Sequence, residues 1–411
     1  MYLHLITDEK FIDHAIARFQ RIDPGRHQFI CLSNSNQVEF RYLKQTDQVS
    51  IIEWDSLACQ QLLERLNQYT AVFVHSLISP YFVEVINRAD SNVTFIWIFW
   101  GAELWMLKKF KTKAYLPLTK LLYYQHVLLY RLNKVKLIIR KYTRLLLKPT
   151  GPGRISDLRE KWIQFASSFH AKNRDVIHAI KRVNYIIPVI KEDYDHLQKM
   201  IPCQAEYLDW NYSVGFPLSQ LDDVPMDCQN ILIGNSASYT NNHWEMFIKI
   251  KKHKSLFNKI IVPLSYGDPL YRQSILKKGQ QILGNQFYPV IEFLPLETYY
   301  HLVSNCYLVF FNTIRQQAMG NIVVCLYSGA KVFLRRKNPI YQFLKRQNAV
   351  IFSIEDEMKI PLLQHPLSEN ERSRNKAVIR SLYNEEMMDR KTQKIISCLQ
   401  EKTKECGGTG P

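Results

Sequence analysis

Four stretches of this 411-residue chain place polar and small residues directly after predicted strands. In an open α/β sheet, ligands bind outside the carboxyl ends of the strands, so chemistry is expected there. The stretches carry an arginine, several amides, a tyrosine and a glutamate, which are residue types that bind phosphates and sugars or move protons. They lie at 99–105, 231–243, 262–269 and 310–322.

The stretch 231–243 ends a predicted strand in Gly234-Asn235-Ser236, and a helix is predicted to begin near Asn241 to His243. Small residues here would let backbone N–H groups approach a phosphate at a helix N-terminus. A plain strand–helix turn with Asn and Ser as helix caps is the alternative. The stretch lacks the GxGxxG pattern, which argues against a dehydrogenase-type nucleotide site.

The stretch 310–322 supplies a polar cluster after a buried strand. Its arginine is suited to bidentate recognition of a phosphate, and its adjacent amides could bind a sugar hydroxyl or a base edge. A solvated loop and helix start is the alternative, but a donor molecule would lie at this position, so we favour a binding role. The candidates are Arg315, Gln316, Gln317, Gly320 and Asn321.

The stretch 262–269 reads VPLSYGDP and includes Pro263 and Tyr266. A tyrosine ring at a strand end could stack on a base or a sugar. A turn built by glycine and proline explains the same residues equally well.

The stretch 99–105 places Glu103 after Trp100-Gly101, and His75 ends the neighbouring predicted strand. A carboxylate beside indole rings can have a raised pKa and serve as a base, so Glu103 and His75 are the candidate catalytic residues. His75 could instead contact the acceptor or a phosphate. The alternative for Glu103 is a helix-start glutamate stabilised by the helix dipole.

The elements that must position these residues are short apolar runs alternating with helical patterns, which predicts doubly wound α/β domains. The runs are continuous rather than alternating, as in parallel sheets covered on both faces. Strands are predicted at 2–7, 28–33, 49–54, 71–76, 93–100, 184–190 and 205–210, and a second series at 230–234, 259–264, 289–294, 307–312, 330–335 and 349–354.

A polar segment with glycine and prolines, 211–228, separates the two series. We therefore predict an N-terminal domain over 1–215 and a C-terminal domain with terminal helices over 216–405. Eight cysteines show no CxxC spacing, so neither a zinc site nor a disulfide framework is predicted.

The net charge of +17 is concentrated in one segment, 104–156, which has no Asp or Glu. Its cations alternate with Leu, Ile, Val and Tyr, which predicts a basic amphipathic helix or helix pair inserted in the first domain. The cations are Lys108, Lys109, Lys111, Lys113, Lys120, Arg131, Lys134, Lys136, Arg140, Lys141, Arg144, Lys148 and Arg154.

Three accounts of the basic segment are open: a solvated helical hairpin, nucleic-acid binding and docking on an anionic membrane surface. We favour membrane docking because no recognised nucleic-acid motif accompanies the cations and because the apolar face could enter the interface. The start MYLHLITDEK shows no secretory signal, and no stretch reaches the roughly 20 apolar residues of a spanning helix. A cytosolic or peripheral protein is therefore expected, and membrane docking would place it at the cytoplasmic side of an inner membrane.

The four stretches, in this order, resemble the bacterial 4-alpha-L-fucosyltransferase family, glycosyltransferase family 56, which moves a TDP-linked acetamido-dideoxy sugar to lipid II. The resemblance covers roughly 70–104 and 185–355. It rests on WGAE at 100–103, on Gly234, Asn235, Ser236, Asn241 and His243, on Val262, Pro263 and Tyr266, and on Arg315, Gln316, Gln317 and Gly320.

The resemblance implies a GT-B enzyme of surface polysaccharide biosynthesis, with two Rossmann-like domains facing a central cleft. The second domain would hold a dTDP-linked deoxyamino or fucose-like sugar, and the first would present a glycan linked to a polyprenyl diphosphate. No metal would be needed, because Arg315 and helix N-termini would stabilise the leaving diphosphate.

Two features depart from the family. Glu103 stands where the family has Asp, which moves the carboxylate, and the basic segment is longer. The donor and acceptor sugars could therefore differ, and the sequence leaves open whether the configuration at the transferred sugar is inverted or retained. A non-catalytic α/β adaptor that binds a membrane surface or nucleic acid is the competing interpretation.

Overall fold

The computed structural model describes most of the chain. The described residues are 1–9, 11–35, 37–146, 173–212, 218–221, 223–225 and 228–407, with the side chains of 134–146 and 403–407 left out.

The first half of the chain forms a seven-stranded parallel sheet in the order β3-β2-β1-β4-β5-β6-β7. The interior strand β1 is buried on both faces, and alternate residues of the strand face different cores. Leu3 and Leu5 join one core, whereas Tyr2 and Ile6 join the other. The strands are β1 Tyr2–Ile6, β2 His27–Ser33, β3 Val49–Glu53, β4 Ala71–His75, β5 Phe95–Phe99, β6 Tyr185–Pro188 and β7 Glu206–Tyr207.

The second half forms a six-stranded parallel sheet in the order β10-β9-β8-β11-β12-β13. The strands are β8 Ile231–Ile233, β9 Ile260–Pro263, β10 Phe287–Val290, β11 Leu308–Phe311, β12 Lys331–Leu334 and β13 Phe352–Ser353. Two parallel sheets of this kind confirm the predicted α/β fold with two doubly wound units.

One predicted strand is displaced. Residues 289–294 were predicted to be extended, but β10 ends at Val290 and begins at Phe287. β10 lies at the edge of the sheet and pairs only with β9, where a proline is tolerated inside a strand.

Helices cover both faces of each sheet. Those of the first half are α1 Ile12–Ile22, α2 Leu57–Glu64, α3 Pro80–Arg88, α4 Ala102–Met106, α5 Pro117–Leu146, α6 over 173–182 and α7 Lys191–Met200. Those of the second half are α8 His243–Lys251, α9 Pro269–Leu283, α10 Leu296–Ser304, α11 Met319–Tyr327, α12 Pro339–Arg346, α13 Ile360–Gln364, α14 Glu369–Leu382 and α15 Glu385–Gly407.

Two helices cross between the halves. The terminal helix α15 was assigned to the second domain by sequence order, but Ile395 and Leu399 pack in a core of the first sheet. The helix α5 was assigned to the first domain, but Leu122 packs in the core of the second sheet. The boundary at 215/216 falls between β7 and β8 and stays a prediction.

Candidate active site

A cleft of about 470 Å³ lies between the two sheets, where the carboxyl ends of their strands face each other. Strand ends supply loops and helix N-termini, so both halves contribute polar groups to the cleft. The first half contributes Phe11, Trp100, Trp210 and Tyr212 among others, and the second contributes Asn235, Tyr266, Arg315, Gln316, Gln317, Gly320 and Asn321.

Arg315 is the cation of the cleft and follows strand β11. Its Nη1 donates to the backbone oxygen of Gln316 at 2.9 Å, and its Nε has no partner among the described residues. No carboxylate in the described part of the chain lies within 4 Å of it to form an ion pair. Burial lowers the pKa of Arg315 to about 10, and attraction to Asp193 and Glu103 opposes that shift. The guanidinium is therefore desolvated and only partly paired, a state that favours binding of an anion.

The loop carrying Arg315 is held rigidly. Asn338 donates from Nδ2 to the backbone oxygens of Thr313 and Arg315, each at 3.1 Å, and to the Thr313 hydroxyl at 2.7 Å. The loop ends at Ala318, whose φ of +64° is in the left-handed region and directs the chain into α11. The first residues of α11, Met319 to Asn321, therefore line the cleft together with Arg315, at the positive end of the helix dipole.

Gln317 links two loops of the second half. Its Oε1 accepts from the Thr240 hydroxyl at 2.5 Å, and its Nε2 donates to Asn235 Oδ1 at 2.7 Å. Asn235 donates in turn from Nδ2 to the Tyr266 hydroxyl at 3.1 Å. The structure thus brings together three of the predicted stretches, and the Tyr266 ring stays 48% exposed at the cleft.

Five residues predicted to bind the donor lie behind this surface rather than on it: Gly234, Ser236, Asn241, His243 and Pro263. Asn241 donates from Nδ2 to the Ser236 backbone oxygen at 2.8 Å, and His243 Nδ1 lies 3.1 Å from the Tyr271 hydroxyl. A Cβ at Gly234, where φ is +71°, would lie 2.5 Å from His243 Nε2. These residues therefore shape the turn that carries Asn235, and their donor role stays a prediction.

Glu103 is buried and 2% exposed. Its Oε1 accepts from the Ser76 hydroxyl at 2.8 Å and from the backbone N–H groups of Trp100 at 3.2 Å and Leu77 at 3.4 Å. Burial raises the pKa of Glu103, and these hydrogen bonds oppose the shift. The carboxyl group braces the ends of β4 and β5 and does not line the cleft. Its role as catalytic base stays a prediction that this geometry does not favour.

His75 is fully buried and is separated from the cleft by Tyr212. Its Nδ1 lies 2.6 Å from the Tyr212 hydroxyl, which also accepts from Trp100 Nε1 at 3.3 Å. Burial lowers the pKa of His75 to about 3, so its ring is neutral near pH 7. His75 therefore reaches the cleft through the tyrosine and not directly.

Sequence reasoning missed Asp193, in the first turn of α7. It is 6% exposed, its Oδ2 has no partner among the described residues, and burial raises its pKa well above the ordinary value while Arg315 opposes this. The sequence position of Asp193 was a signal for this role, because the residue follows the carboxyl end of β6. Strand β6 pairs with β5, the strand that precedes Glu103.

Sequence reasoning also missed the aromatic wall formed by Trp210 and Tyr212. Both residues follow β7, a strand of only two residues, and the prediction placed Tyr212 in the linker. Trp210 donates from Nε1 to the Thr392 hydroxyl on α15 at 2.9 Å. The crossing of α15 to the first sheet therefore fixes one wall of the cleft.

The predicted basic segment is partly described. Lys108, Lys109, Lys113, Lys120 and Arg131 are exposed, and Lys111 is half-buried. The side chains of Lys134, Lys136, Arg140, Lys141 and Arg144 lie outside the described residues, as do Lys148 and Arg154 entirely.

Helix α5 has two opposite faces. Thr119, Leu122 and His126 face the second sheet, where Thr119 donates to Glu245 at 2.6 Å and His126 contacts Tyr239 at 2.6 Å. Turned away from this contact, an exposed apolar stripe runs at helical spacing. Its members are Leu121, Tyr124, Leu128 and Leu132, between 49% and 58% exposed.

Across the described residues we find no group of three or more His, Cys, Asp or Glu side chains that could hold a metal ion. In the same part of the chain, no helix is both long enough and apolar enough to cross a bilayer.

The sequence model of the family described as 4-alpha-L-fucosyltransferase, glycosyl transferase group 56, matches residues 191–381. The match includes the loops of Asn235, Tyr266 and Arg315 and confirms the resemblance over the second sheet. It begins after the WGAE stretch, so that stretch lies outside the matched region.

Solved structures share the fold over nearly the whole chain. The Anabaena protein HepE, in complex with UDP-glucose, has a TM-score of 0.57 and 8% identity, covering 97% of this chain and 99% of its own. A glycosyltransferase from Rickettsia africae ESF-5 has a TM-score of 0.56 and 10% identity, covering 97% and 98%. Sucrose-phosphate synthase from Thermosynechococcus elongatus has a TM-score of 0.54 and 10% identity, covering 97% and 99%.

At these identities the structural likeness shows the fold, and the family match shows the class of enzyme. The chain is a glycosyltransferase with the GT-B fold, and its residues 191–381 match the sequence model of the 4-alpha-L-fucosyltransferase family, glycosyl transferase group 56.

Proposed function

We propose that this enzyme transfers a sugar from a nucleoside diphosphate, most simply dTDP, to a lipid-linked glycan at an anionic membrane surface. The donor lies in the second half of the cleft and the acceptor enters from the first. The nucleotide follows from the family resemblance, and HepE, with the same fold, was solved with UDP-glucose.

Arg315 is the observation that carries the proposal. A partly buried guanidinium whose Nε is buried and unpartnered among the described residues, beside the N-terminus of α11, is arranged to take the diphosphate. Arginine binds phosphate oxygens bidentately, and the helix dipole adds positive potential at the same point. Both groups would stabilise the charge that develops on the leaving diphosphate.

The rest of the cleft fits a nucleotide sugar. Its volume of about 470 Å³ falls within the range of small-molecule sites. The half-exposed ring of Tyr266 offers a stacking surface for a base or a sugar, while Gln316 and Gln317 offer amides to hydroxyl groups.

The acceptor side supports a lipid-linked substrate. Trp100, Trp210 and Tyr212 line that side, and aromatic walls commonly contact the apolar faces of sugar rings. The exposed stripe of α5, flanked by Lys120 and Arg131, has the character of a helix that lies in a membrane interface. Because α5 also packs on the second sheet, docking it would hold the cleft near the lipid head groups.

Incubation with a dTDP-linked deoxyamino sugar and a polyprenyl-diphosphate glycan tests the proposal. Release of dTDP that requires the lipid acceptor, together with a glycan one sugar longer, is the expected result. UDP-, GDP- and dTDP-linked donors are compared in parallel. No release from any nucleotide sugar, with or without acceptor, would contradict the proposal.

A further inference from the structure

Three histidines cross the buried face of the first sheet in one hydrogen-bonded line. His4 Nδ1 lies 3.1 Å from His75 Nε2, and His4 Nε2 lies 2.8 Å from His27 Nδ1. His27 begins β2, His4 sits in the middle of β1 and His75 ends β4, so the line runs from one end of the sheet to the other. All three side chains are buried.

The line connects the cleft to the opposite end of the domain. At the cleft, His75 Nδ1 meets the Tyr212 hydroxyl at 2.6 Å. At the other end, His27 Nε2 lies 3.5 Å from Asp23 Oδ2, an ion-pair distance, and neither atom makes a hydrogen bond with the described residues. Arg26 lies 3.8 Å from the other oxygen of that carboxylate, whose side chain is 17% exposed.

The Asp23 end sets the direction along the line. An ionised Asp23 can only accept, so His27 presents its Nε2 proton to it, and each neutral ring carries a single proton. Each histidine in the line therefore carries its proton on Nε2 and accepts on Nδ1. Tyr212 donates to His75 while its oxygen accepts from Trp100, His75 donates to His4, and His4 donates to His27. His27 offers its Nε2 proton towards Asp23 Oδ2 at 3.5 Å.

Packing alone does not require imidazoles at these positions. His4 lies against the rings of Phe19, Phe29 and Phe73, with centroids 4.4 to 4.7 Å apart, so a phenylalanine ring would suit the site. Burial lowers the pKa of His4 and of its two partners, so a charged imidazolium is disfavoured anywhere in the line. A proton can then pass only by a concerted shift along neutral rings.

We propose that this line, Tyr212-His75-His4-His27-Asp23, is a proton relay that removes the proton of the acceptor hydroxyl during sugar transfer. The inference rests on the proposed function. In this relay Tyr212 contacts the sugar acceptor and takes the proton of its hydroxyl group. Asp23, at the other end, is the group on which a proton finally arrives.

In the transfer step, the acceptor oxygen forms a bond to the anomeric carbon of the donor sugar. The bond from that carbon to the diphosphate breaks, and its electron pair leaves with the diphosphate. The acceptor proton moves to the Tyr212 oxygen as the tyrosine proton moves to His75 Nδ1. The Nε2 protons of the three histidines each move one place, and the last reaches Asp23. Asp23 then releases that proton to solvent. After product release a solvent proton enters at Asp23, every proton in the line moves back one place, and Tyr212 releases the former acceptor proton to water in the cleft.

His4→Phe and Asp23→Asn test the relay, with exposed His14→Phe as the control. The measurement is the single-turnover rate of sugar transfer from the donor to the lipid acceptor in mixtures of H2O and D2O. The wild-type enzyme should show an isotope effect that curves with deuterium content, because several protons move together. In both variants we expect transfer to be slower by at least about tenfold, which corresponds to about 1.4 kcal/mol of barrier. Both should bind dTDP as tightly as wild type, and in both the isotope effect should no longer curve with deuterium content.

The outcomes separate the two proposals. The relay would be overturned if both variants kept the wild-type rate and the curved isotope effect. It would also be overturned if transfer slowed while the curvature remained, because side chains with only a packing role would give that second result. If His4→Phe fails to fold, Asp23→Asn at the domain surface decides alone. Absence of transfer by the wild-type enzyme would overturn the proposed function itself.

Discussion

Gly101 of the first half lies directly against Gln316 of the second, where the two sheets face each other. A Cβ at position 101 would sit 2.9 Å from Gln316 Oε1 and 3.9 Å from Asp193 Oδ2. Gly101 also has a φ of +82°, a conformation that other residues adopt only with strain. This contact joins the strand end that carries Glu103 to the loop that carries Arg315.

Gly101→Ala should therefore impair both stability and transfer. We expect a loss of about 1–2 kcal/mol in the free energy of unfolding from left-handed strain, and a fall in turnover because Gln316 must move. Gly25→Ala is the matched control, since Gly25 has a φ of +71° but no atom within 4 Å of the added carbon. Equal turnover in the two variants would show that the Gly101–Gln316 contact does not matter for catalysis.

Glu103→Gln tests whether Glu103 acts as a base or as a brace. The glutamine carbonyl oxygen can accept the three hydrogen bonds now made to Oε1, and its amide group would occupy the position of Oε2, which has no partner among the described residues. We expect turnover within about tenfold of wild type, or less than about 1.4 kcal/mol of barrier. Initial-rate kinetics with saturating donor measure this, and a loss of several orders of magnitude would restore Glu103 as the base.

The buried histidines make stability depend on pH. Burial lowers the pKa of His27 to about 4 and those of His75 and His243 to about 3, against about 6.5 in an unfolded chain. The unfolded state therefore binds more protons below pH 6.5, so the free energy of unfolding falls as pH drops from 7 towards 4. Each group contributes up to about 1.4 kcal/mol per pH unit.

Denaturant unfolding at pH 7 and pH 5 measures this dependence. His75→Phe should flatten it, whereas substitution of exposed His365 should leave it unchanged. Glu103 and Asp193 have the opposite effect on the free energy of unfolding. Their raised pKa values mean that the folded state binds more protons than the unfolded state, so their contribution to stability is lost as pH rises. An equally steep dependence on pH in the wild-type protein and in His75→Phe would contradict the assignment of a neutral buried ring at His75.

Helix α5 should bring the enzyme to anionic membranes. The protein should co-sediment with vesicles that contain phosphatidylglycerol, and added salt should weaken this binding. Neutral phosphatidylcholine vesicles should bind less of the protein. Replacing Lys120 and Arg131 on α5, together with Lys113 just before it, with Gln should reduce binding, because each cation near an anionic leaflet contributes about 1 kcal/mol.

A charge-matched variant at exposed Lys337, Lys345 and Lys394 is the control for this effect. Equal binding to neutral and anionic vesicles, or equal loss in the two triple variants, would show that α5 is not the docking surface.

Sequence patterns were sufficient for the sheets and for part of the cleft. Strands such as β1 and β4 are buried on both faces, so their apolar runs are continuous and easily recognised. Arg315, Gln316 and Gln317 could be selected because a polar cluster follows a buried strand. Both the buried strands and the polar cluster involve residues that are close together in the sequence, so a local pattern is enough to predict them.

What the patterns missed depends on contacts between distant residues. Nothing near Trp210 indicates that α15 returns to hold it, and nothing near Leu122 indicates that α5 packs on the second sheet. The histidine line likewise joins positions 4, 27 and 75 only because three parallel strands lie side by side. These arrangements follow from sheet order, which a single sequence does not specify.

Binding of dTDP, measured by isothermal titration calorimetry, tests the central claim most directly. Wild-type protein should bind one dTDP, and Arg315→Ala should weaken binding by about 10- to 100-fold, as expected for loss of a charged hydrogen bond. Arg390→Ala, an exposed arginine paired with Glu386 away from the cleft, should bind like wild type. Undiminished binding by Arg315→Ala, or no binding of any nucleoside diphosphate by wild type, would contradict the account.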